Sequence, residues 1–232
     1  IDIEEGWLDV EHNGRKDRVL FPKKPGSFYH LSKVHDSANI EFACRIWGLK
    51  CTDLNQGLVY GLMTKEIELD SEGLATSFHY DSIFGTIINR FITQIACGKP
   101  MTVYGTGNQK RGFLNIIDTL KCVNLAAENP AKVGEFRVFN QFTEFCSLNE
   151  MAMKIKSFAD NKKLVARIKN IKNPRIEDEE HYYNPKNTSL LSLGLKPVKF
   201  DEKQIESIFN TIKGNTDRVN IDTLDPNIKW KI

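Results

Sequence analysis

From Phe28 to Trp47 the chain has a helical period, with Leu31, Val34, Ala38, Phe42 and Ile46 falling on or near one face. Ser27 stands where an N-cap belongs and Gly48 where the helix must stop. A strand pattern, Cys51 to Tyr60, begins almost at once. A helix returned to a strand by so short a turn has to lie back on that strand's sheet, and the same alternation recurs downstream. A helical pattern from Ser82 to Cys97 closes at Gly98-Lys99-Pro100, and Met101 to Tyr104 forms a strand before the turn Gly105-Thr106-Gly107. Gly112 to Ile117 reads as strand, Asp118 to Glu128 as helix and Glu135 to Asn140 as strand. Ser147-Leu148-Asn149-Glu150 is a capping box that opens a helix with Met151, Ile155 and Phe158 inward. A strand near Leu164 to Ile168, a short helix near Thr188 to Leu193 stopped by Gly194, and a helix from Glu202 to Lys213 complete the pattern. The fold class is therefore α/β, built on a mainly parallel sheet.

Two segments stand outside the alternation. Residues 7 to 21 alternate in polarity and turn at Asn13-Gly14, which predicts a surface hairpin packed through Trp7, Val10, Val19 and Leu20. Residues 62 to 80 lack a period and predict a long surface excursion, of the kind that covers ligands. No GxGxxG or GxxGxxG follows any strand, so the phosphate-binding first half of a dinucleotide fold is not expected in this chain.

Composition narrows the partners. The 232 residues are 41% hydrophobic, enough for a sizeable core, and 32 Lys and Arg against 30 Asp and Glu leave a net charge of +2. That balance, with no polybasic tract, argues against a nucleic-acid surface or a membrane anchor and points to a small partner. No apolar run approaches the length of a membrane span, and no signal peptide opens the chain, so a soluble protein is expected. The five cysteines form no CxxC or CxxH and are odd in number, which suits a reducing compartment; the five histidines form no HxxxH, and no metal is expected. The acidic run Glu177 to Glu180 reads as a solvated face.

Chemistry concentrates at Tyr29-His30-Leu31-Ser32-Lys33, where a phenol and an ammonium stand one helical turn apart on one face and can act on a single substrate atom. A nearby ammonium favours the phenolate, but moving a tyrosine from a pKa of about 10 to about 7 takes roughly 4 kcal/mol, which a bound cationic cofactor would have to share. Tyr182 and Lys186 repeat the spacing, but Pro185 between them breaks the helix that would align them. Asn55 and Gln56 end a parallel strand, where ligand crevices of α/β folds lie, and their amides suit pyrophosphate or sugar hydroxyls. Arginine is a natural diphosphate clamp through its planar fork, but Arg111 or Arg175 taken alone reads more often as a surface charge. Tyr104 can offer a ring face or hydroxyl to a base, or simply fill a core.

Together, Tyr29-xxx-Lys33 on a long helix, a strand ending NQGLVYG at Gly61 and GKPMTVYGTGNQKRGFLNIIDT at 98–119 resemble the extended short-chain dehydrogenases/reductases that act on nucleotide sugars. SFYHLSKVHDS, TDLNQGLVYG, VFNQFTE and NPRIEDEEHYYN are most similar to the branch that makes UDP-sulfoquinovose from UDP-glucose and sulfite. The resemblance implies that residues 1–232 are one partial epimerase/dehydratase-like domain. That domain is the C-terminal part of an extended Rossmann-like fold with a small mixed α/β substrate region. The N-terminal NAD-binding half, with its glycine-rich loop, acidic ribose ligand and catalytic Thr or Ser, is absent from it.

The resemblance also implies roles. Tyr29 is the acid and base at the sugar 4-hydroxyl, Lys33 binds the nicotinamide ribose and lowers the tyrosine pKa, and His30 lies toward C6 and the sulfite. Without the resemblance, His30 reads as a solvated or capping residue. Gln56 falls on substrate, Val59 near nicotinamide, and Thr86, Thr102, Tyr104, Arg111 and Arg175 on the nucleotide side. NAD is the implied cofactor. A homodimer built as a four-helix bundle from the 28–47 and 82–97 helices is the implied assembly, in the cytoplasm or, in a plant or alga, the chloroplast stroma. A UDP-hexose 4-epimerase or 4,6-dehydratase would share most of these residues. A catalytically silent fragment that binds a nucleotide or a partner chain is a third expectation.

Overall fold

The computed structural model describes residues 6–173 and 185–225. In chain order the elements begin with β1 (Trp7–His12), β2 (Arg15–Leu20), α1 (Phe28–Trp47), β3 (Cys51–Gln56), β4 (Leu58–Tyr60) and α2 (Lys65–Leu69). They continue with α3 (Ile87–Ala96), β5 (Met101–Tyr104), β6 (Lys110–Asn115), α4 (Ile116–Glu128), β7 (Phe136–Gln141) and β8 (Glu144–Ser147). The last are α5 (Leu148–Asn161), β9 (Ile168–Ile171), α6 (Thr188–Ser192) and α7 (Glu202–Lys213). β3 with β7, β4 with β6 and β5 with β9 pair in parallel, while β1 with β2 and β6 with β8 pair antiparallel, so the mainly parallel α/β architecture is present.

Two compact units divide the chain: residues 1–57, 119–142 and 182–196 form one, and 58–118, 143–181 and 197–232 the other. In the first, β1 and β2 turn at Asn13 and Gly14, both at positive φ (50° and 75°), as a two-residue hairpin requires. Ser27 accepts a hydrogen bond from the His30 N–H at 3.2 Å, and Gly48, at φ 69°, closes α1 by donating to the Cys44 carbonyl at 2.9 Å. The inward face of α1 runs through Leu31, Val34, Ser37 and Glu41 to the buried Cys44. Ala38, Phe42 and Ile46 of the expected apolar face are exposed, because the stripe that meets β3 and β7 drifts around the helix toward Cys44. Cys44, Phe136 and Val138 form one small core on one side of β7, and Cys122, Phe139, Leu190 and Leu195 another, following the strand's period of two.

The second unit is built around α3. All ten of its residues are buried, and it packs on α5, α7 and β5 in a core that includes Ile88, Phe91, Ile92, Met151, Ile155, Ile208 and Phe209. This corrects the expected bundle, because a helix enclosed on every side has no face left for a partner. The helix is also shorter than the 82–97 pattern: the Asp81 carboxylate accepts from the Ile83 and Phe84 N–H groups, at 2.7 and 2.8 Å, and holds a turn before it. Gly57 interrupts the expected strand 51–60, so Gln56 pairs with β7 and Leu58 with β6. The short β8 overlaps the capping box that opens α5 and leaves no separate pattern in the sequence. Among the described residues no helix is long and apolar enough to cross a membrane, and no cluster of His, Cys, Asp and Glu could hold a metal.

Candidate functional site

The first turns of α1 present the chemistry. Tyr29 is 68% exposed, its ring centroid lies 5.5 Å from that of His30, and Lys33 Nζ stands 5.9 Å from the same ring. The helical offset therefore brings phenol, imidazole and ammonium together on an accessible surface. Lys33 also pairs with Asp36 at 3.1 Å, a partner the sequence pattern did not single out although it lies one turn on. With side chains 60% and 57% exposed, that pair is worth only a few tenths of a kcal/mol, so a ligand can draw the ammonium away.

Asn55 and Gln56 stand at the carboxyl end of β3, in register with Asn140 and Gln141 at the end of β7. Both polar atoms of Asn55 are engaged: Oδ1 accepts from Lys23 Nζ at 3.1 Å, and Nδ2 reaches Asn140 Oδ1 at 3.5 Å. Gln56 is exposed. These residues and the α1 group belong to the first unit.

Val59, Thr86, Thr102, Tyr104 and Arg111 belong to the second. Thr86 is the N-cap residue of α3, but its side chain makes no capping bond; its Oγ1 is buried and has no partner among the described residues, as is true of Asn89 Oδ1 one turn on. Thr102 is in the core, where Gln94 Nε2 donates to its Oγ1 at 2.8 Å and its own N–H donates to Gln94 Oε1 at 3.0 Å. Tyr104 is buried too, and Arg90 Nη1 donates to its hydroxyl at 2.7 Å while the guanidinium stacks 4.4 Å from its ring centroid. Arg90, 4% exposed, was missed by sequence reasoning; the one signal was an arginine inside an isoleucine-rich helix. Arg111 Nη1 donates to the Lys110 carbonyl at 2.9 Å. Val59 is half-buried in β4. Arg175, the decoy Tyr182 and the run 177–180 lie outside the described residues.

Other reactive groups are held quiet. Burial pushes the Cys44 and Cys146 thiols each up to about 11, so neither is a thiolate nucleophile near neutral pH. Burial first, and then the Glu144 carboxylate, raise the Tyr60 hydroxyl; it lies 3.5 Å from Glu144 Oε2 and 3.4 Å from the Val198 carbonyl, a structural place. An open groove of about 580 Å³ between β8 and α5, lined by Glu144, Phe145, Cys146, Met153 and Lys154 among others, contains none of the expected site residues.

Residues 13–140, more than half of the chain, match the NAD dependent epimerase/dehydratase family. The chain belongs to that family. Two curated relatives extend the match beyond the family segment. "UDP-sulfoquinovose synthase, chloroplastic" of Spinacia oleracea is 51% identical over 231 residues, covering 100% of this chain and 48% of the relative. "UDP-sulfoquinovose synthase" of Sulfolobus acidocaldarius is 43% identical over 199 residues, 85% of this chain and 50% of the relative. The chain thus spans about half the length of these relatives. Solved structures share the fold: the UDP-glucuronic acid 4-epimerase of Bacillus cereus, in complex with UDP-glucuronic acid and NAD, aligns with a TM-score of 0.61 at 20% identity over 84% of this chain and 55% of that one. The NAD complex of UDP-glucose 4-epimerase from Thermus thermophilus aligns with a TM-score of 0.59 at 21% identity over 83% and 56%. The extended Rossmann-like fold class expected from the motifs is therefore the fold of this family.

Proposed function

We propose that this chain carries the catalytic tyrosine and nucleotide-sugar side of an NAD-dependent enzyme that makes UDP-sulfoquinovose from UDP-glucose and sulfite. The reading rests above all on the accessible Tyr29, His30 and Lys33 group, in a chain 51% identical over 231 residues to the spinach synthase. An exposed phenol and ammonium on one helix face suit a sugar hydroxyl and a nicotinamide ribose, so Tyr29 and Lys33 fit NAD and would hold it; the role of Val59 near nicotinamide rests on the family resemblance alone. NAD, when bound, accepts the C4 hydride and gives it back at the end of the cycle.

Tyr29 takes the 4-hydroxyl proton as the ketone forms and returns it on reduction. The ketone acidifies the C5 proton; loss of that proton with the 6-hydroxyl as water leaves a 4-keto-5-ene, to which sulfite adds through a new C6–S bond while C5 regains a proton. His30, next to Tyr29 and turned by about 100°, serves the C6 side. Thr86, with its buried unpartnered hydroxyl, Thr102, Tyr104, Arg111 and Arg175 serve the UDP, and Gln56 with Asn55 the sugar end. Tyr104 and Thr102 act from the core, by holding Arg90 and Gln94, to which their side-chain oxygens are bonded. A second copy of the chain packs on the exposed side of α1, where Phe42, Ile46 and Trp47 are 48%, 52% and 68% exposed. The enzyme works in the plastid stroma where the source is a plant or alga, and in the cytoplasm otherwise.

The decisive experiment incubates the full protein containing this chain with UDP-glucose, NAD and sulfite and analyses the products by mass spectrometry. A product heavier by net replacement of hydroxyl with sulfonate, formed only with sulfite and without net NADH, is expected. A 4-epimer or a 4-keto-6-deoxy sugar formed regardless of sulfite would assign the chain to the epimerase or dehydratase chemistry of its family instead.

A further inference from the structure

The segment that joins β2 to α1, Phe21-Pro22-Lys23-Lys24-Pro25-Gly26-Ser27, carries no signal in the sequence beyond the N-cap Ser27. In the structure it carries an ammonium to the carboxyl end of the parallel strands. Lys23 Nζ donates to Asn55 Oδ1 at 3.1 Å, Asn55 Nδ2 reaches Asn140 Oδ1 at 3.5 Å, and Asn140 Nδ2 donates to the Lys186 carbonyl at 2.6 Å. Each amide is thereby turned so that its oxygen faces the next donor, and the row ends on the lysine. Each polar atom of Asn55 already makes one bond, whereas an ammonium has three N–H donors and this one uses a single bond among the described residues.

The carboxylates of the neighbouring elements are engaged elsewhere: Asp36 pairs with Lys33, and Asp53 accepts from Ser37 Oγ. Lys16, Lys33, Lys154, Lys156 and Lys162 each pair with a carboxylate, but among the described residues Lys23 pairs with none. Five residues on, α1 starts with no acidic residue in its first turn, so that turn does nothing to offset the positive end of the helix. Lys24 adds to the same sign. Such a place favours a small anion, and the ammonium, exposed but anchored, can bind one without being stripped of all its hydration.

We propose that Lys23 is the cation that holds sulfite for the reaction, with Asn55 as the residue that positions it. The inference rests on the function proposed above, in which sulfite is the small anion that arrives separately from the nucleotide sugar. It adds Lys23 to the ligand-facing residues at the end of β3.

Lys23→Met and Lys23→Arg in the full protein test it. In the methionine variant the KM for sulfite should rise about 10- to 100-fold while that for UDP-glucose stays within about twofold, and arginine should recover most of the loss. Sulfate, as an inert competitor, should inhibit the native protein against sulfite and act more weakly on the methionine variant, a charge effect that a merely structural role would not give. An unchanged sulfite KM overturns the proposal, and so does an equal rise in both KM values, which would make Lys23 a diphosphate ligand. Loss of the transient NADH signal and of folding cooperativity together, in both variants, also overturns it by making the lysine structural. If the native protein makes no sulfonated product, the functional reading falls; calorimetric titration of sulfite into native and methionine proteins then still decides whether Lys23 holds the anion.

Discussion

Tyr29 and Lys33 stand in the arrangement their spacing dictates, and their accessibility gives it chemical meaning: a general acid/base has to reach substrate, and this phenol is 68% exposed. His30 is fixed differently. Its backbone N–H is tied to Ser27 Oγ, so the residue forms part of the helix start while its ring stays beside Tyr29. Substituting Tyr29 with Phe removes the proton acceptor but keeps the ring on which Lys33 and His30 rest. We expect turnover to fall at least about 100-fold with UDP-glucose affinity largely retained, measured by steady-state rates and calorimetry on the same protein. A phenylalanine variant with native rates would take Tyr29 out of the chemistry. The spacing on a long helix, together with the motifs around it, led to this residue, whereas Lys23 and Asp36, the partner of Lys33, were hidden because a charged residue in a loop or on an exposed face carries no periodic signal.

The capping box that opens α5 shows how a local rule sets an element. Ser147 Oγ accepts from the Glu150 N–H at 3.2 Å, and the Glu150 carboxylate accepts in return from the Ser147 N–H. That reciprocal bond, chiefly the one from the Ser147 N–H, holds the Glu150 carboxyl below its ordinary range. Ser147→Ala should cost about 1 kcal/mol of stability, read from denaturant midpoints. For Glu150 the sign follows from the depressed folded value: its contribution is complete above the unfolded carboxylate pKa and is lost as pH falls through the folded one. Glu150→Gln should therefore narrow the stability gap between native and variant proteins on acidification below about pH 4.5, and parallel stability curves for the two down to pH 3 would refute the box as its cause. The neighbouring turn obeys a second local rule. Gly107 has φ 78°, and a Cβ there would lie 2.2 Å from Asn149 Oδ1, so the approach of α5 as well as the turn favours glycine at this position.

At the scale of the molecule, one long helix keeps an apolar surface and another keeps none. α3 has its ten residues in the core, and each fully buried Ile or Phe there contributes about 1.5 to 3 kcal/mol. α1, by contrast, leaves Phe42, Ile46 and Trp47 in solvent. If a second copy covers that face, Phe42→Asp should convert a dimer to a monomer at micromolar concentration in sedimentation velocity, with little change in the stability of the fold because the side chain is already 48% exposed. A native protein that is monomeric at that concentration removes the dimer from the proposal.

The sequence by itself determined what depends on neighbours along the chain. Ser27 and Gly48 bound α1, Asn13-Gly14 makes the hairpin, the capping box begins α5, Glu202–Lys213 forms its helix, and the Tyr29 to Lys33 offset sets two reactive groups on one face. These are governed by backbone geometry and first-turn hydrogen bonds, which a short stretch of residues specifies. Tertiary structure decided what depends on residues far apart. It broke the 51–60 strand at Gly57 by giving its two parts different partners, rotated the buried stripe of α1 toward Cys44, enclosed α3, and committed the Tyr104 hydroxyl to Arg90 and the Asn55 oxygen to Lys23, 32 residues away. A polar side chain in a sequence shows its donors and acceptors. Only the packed chain shows which of them are already bonded and which remain for a ligand, because a buried polar atom takes whatever partner folding brings to it.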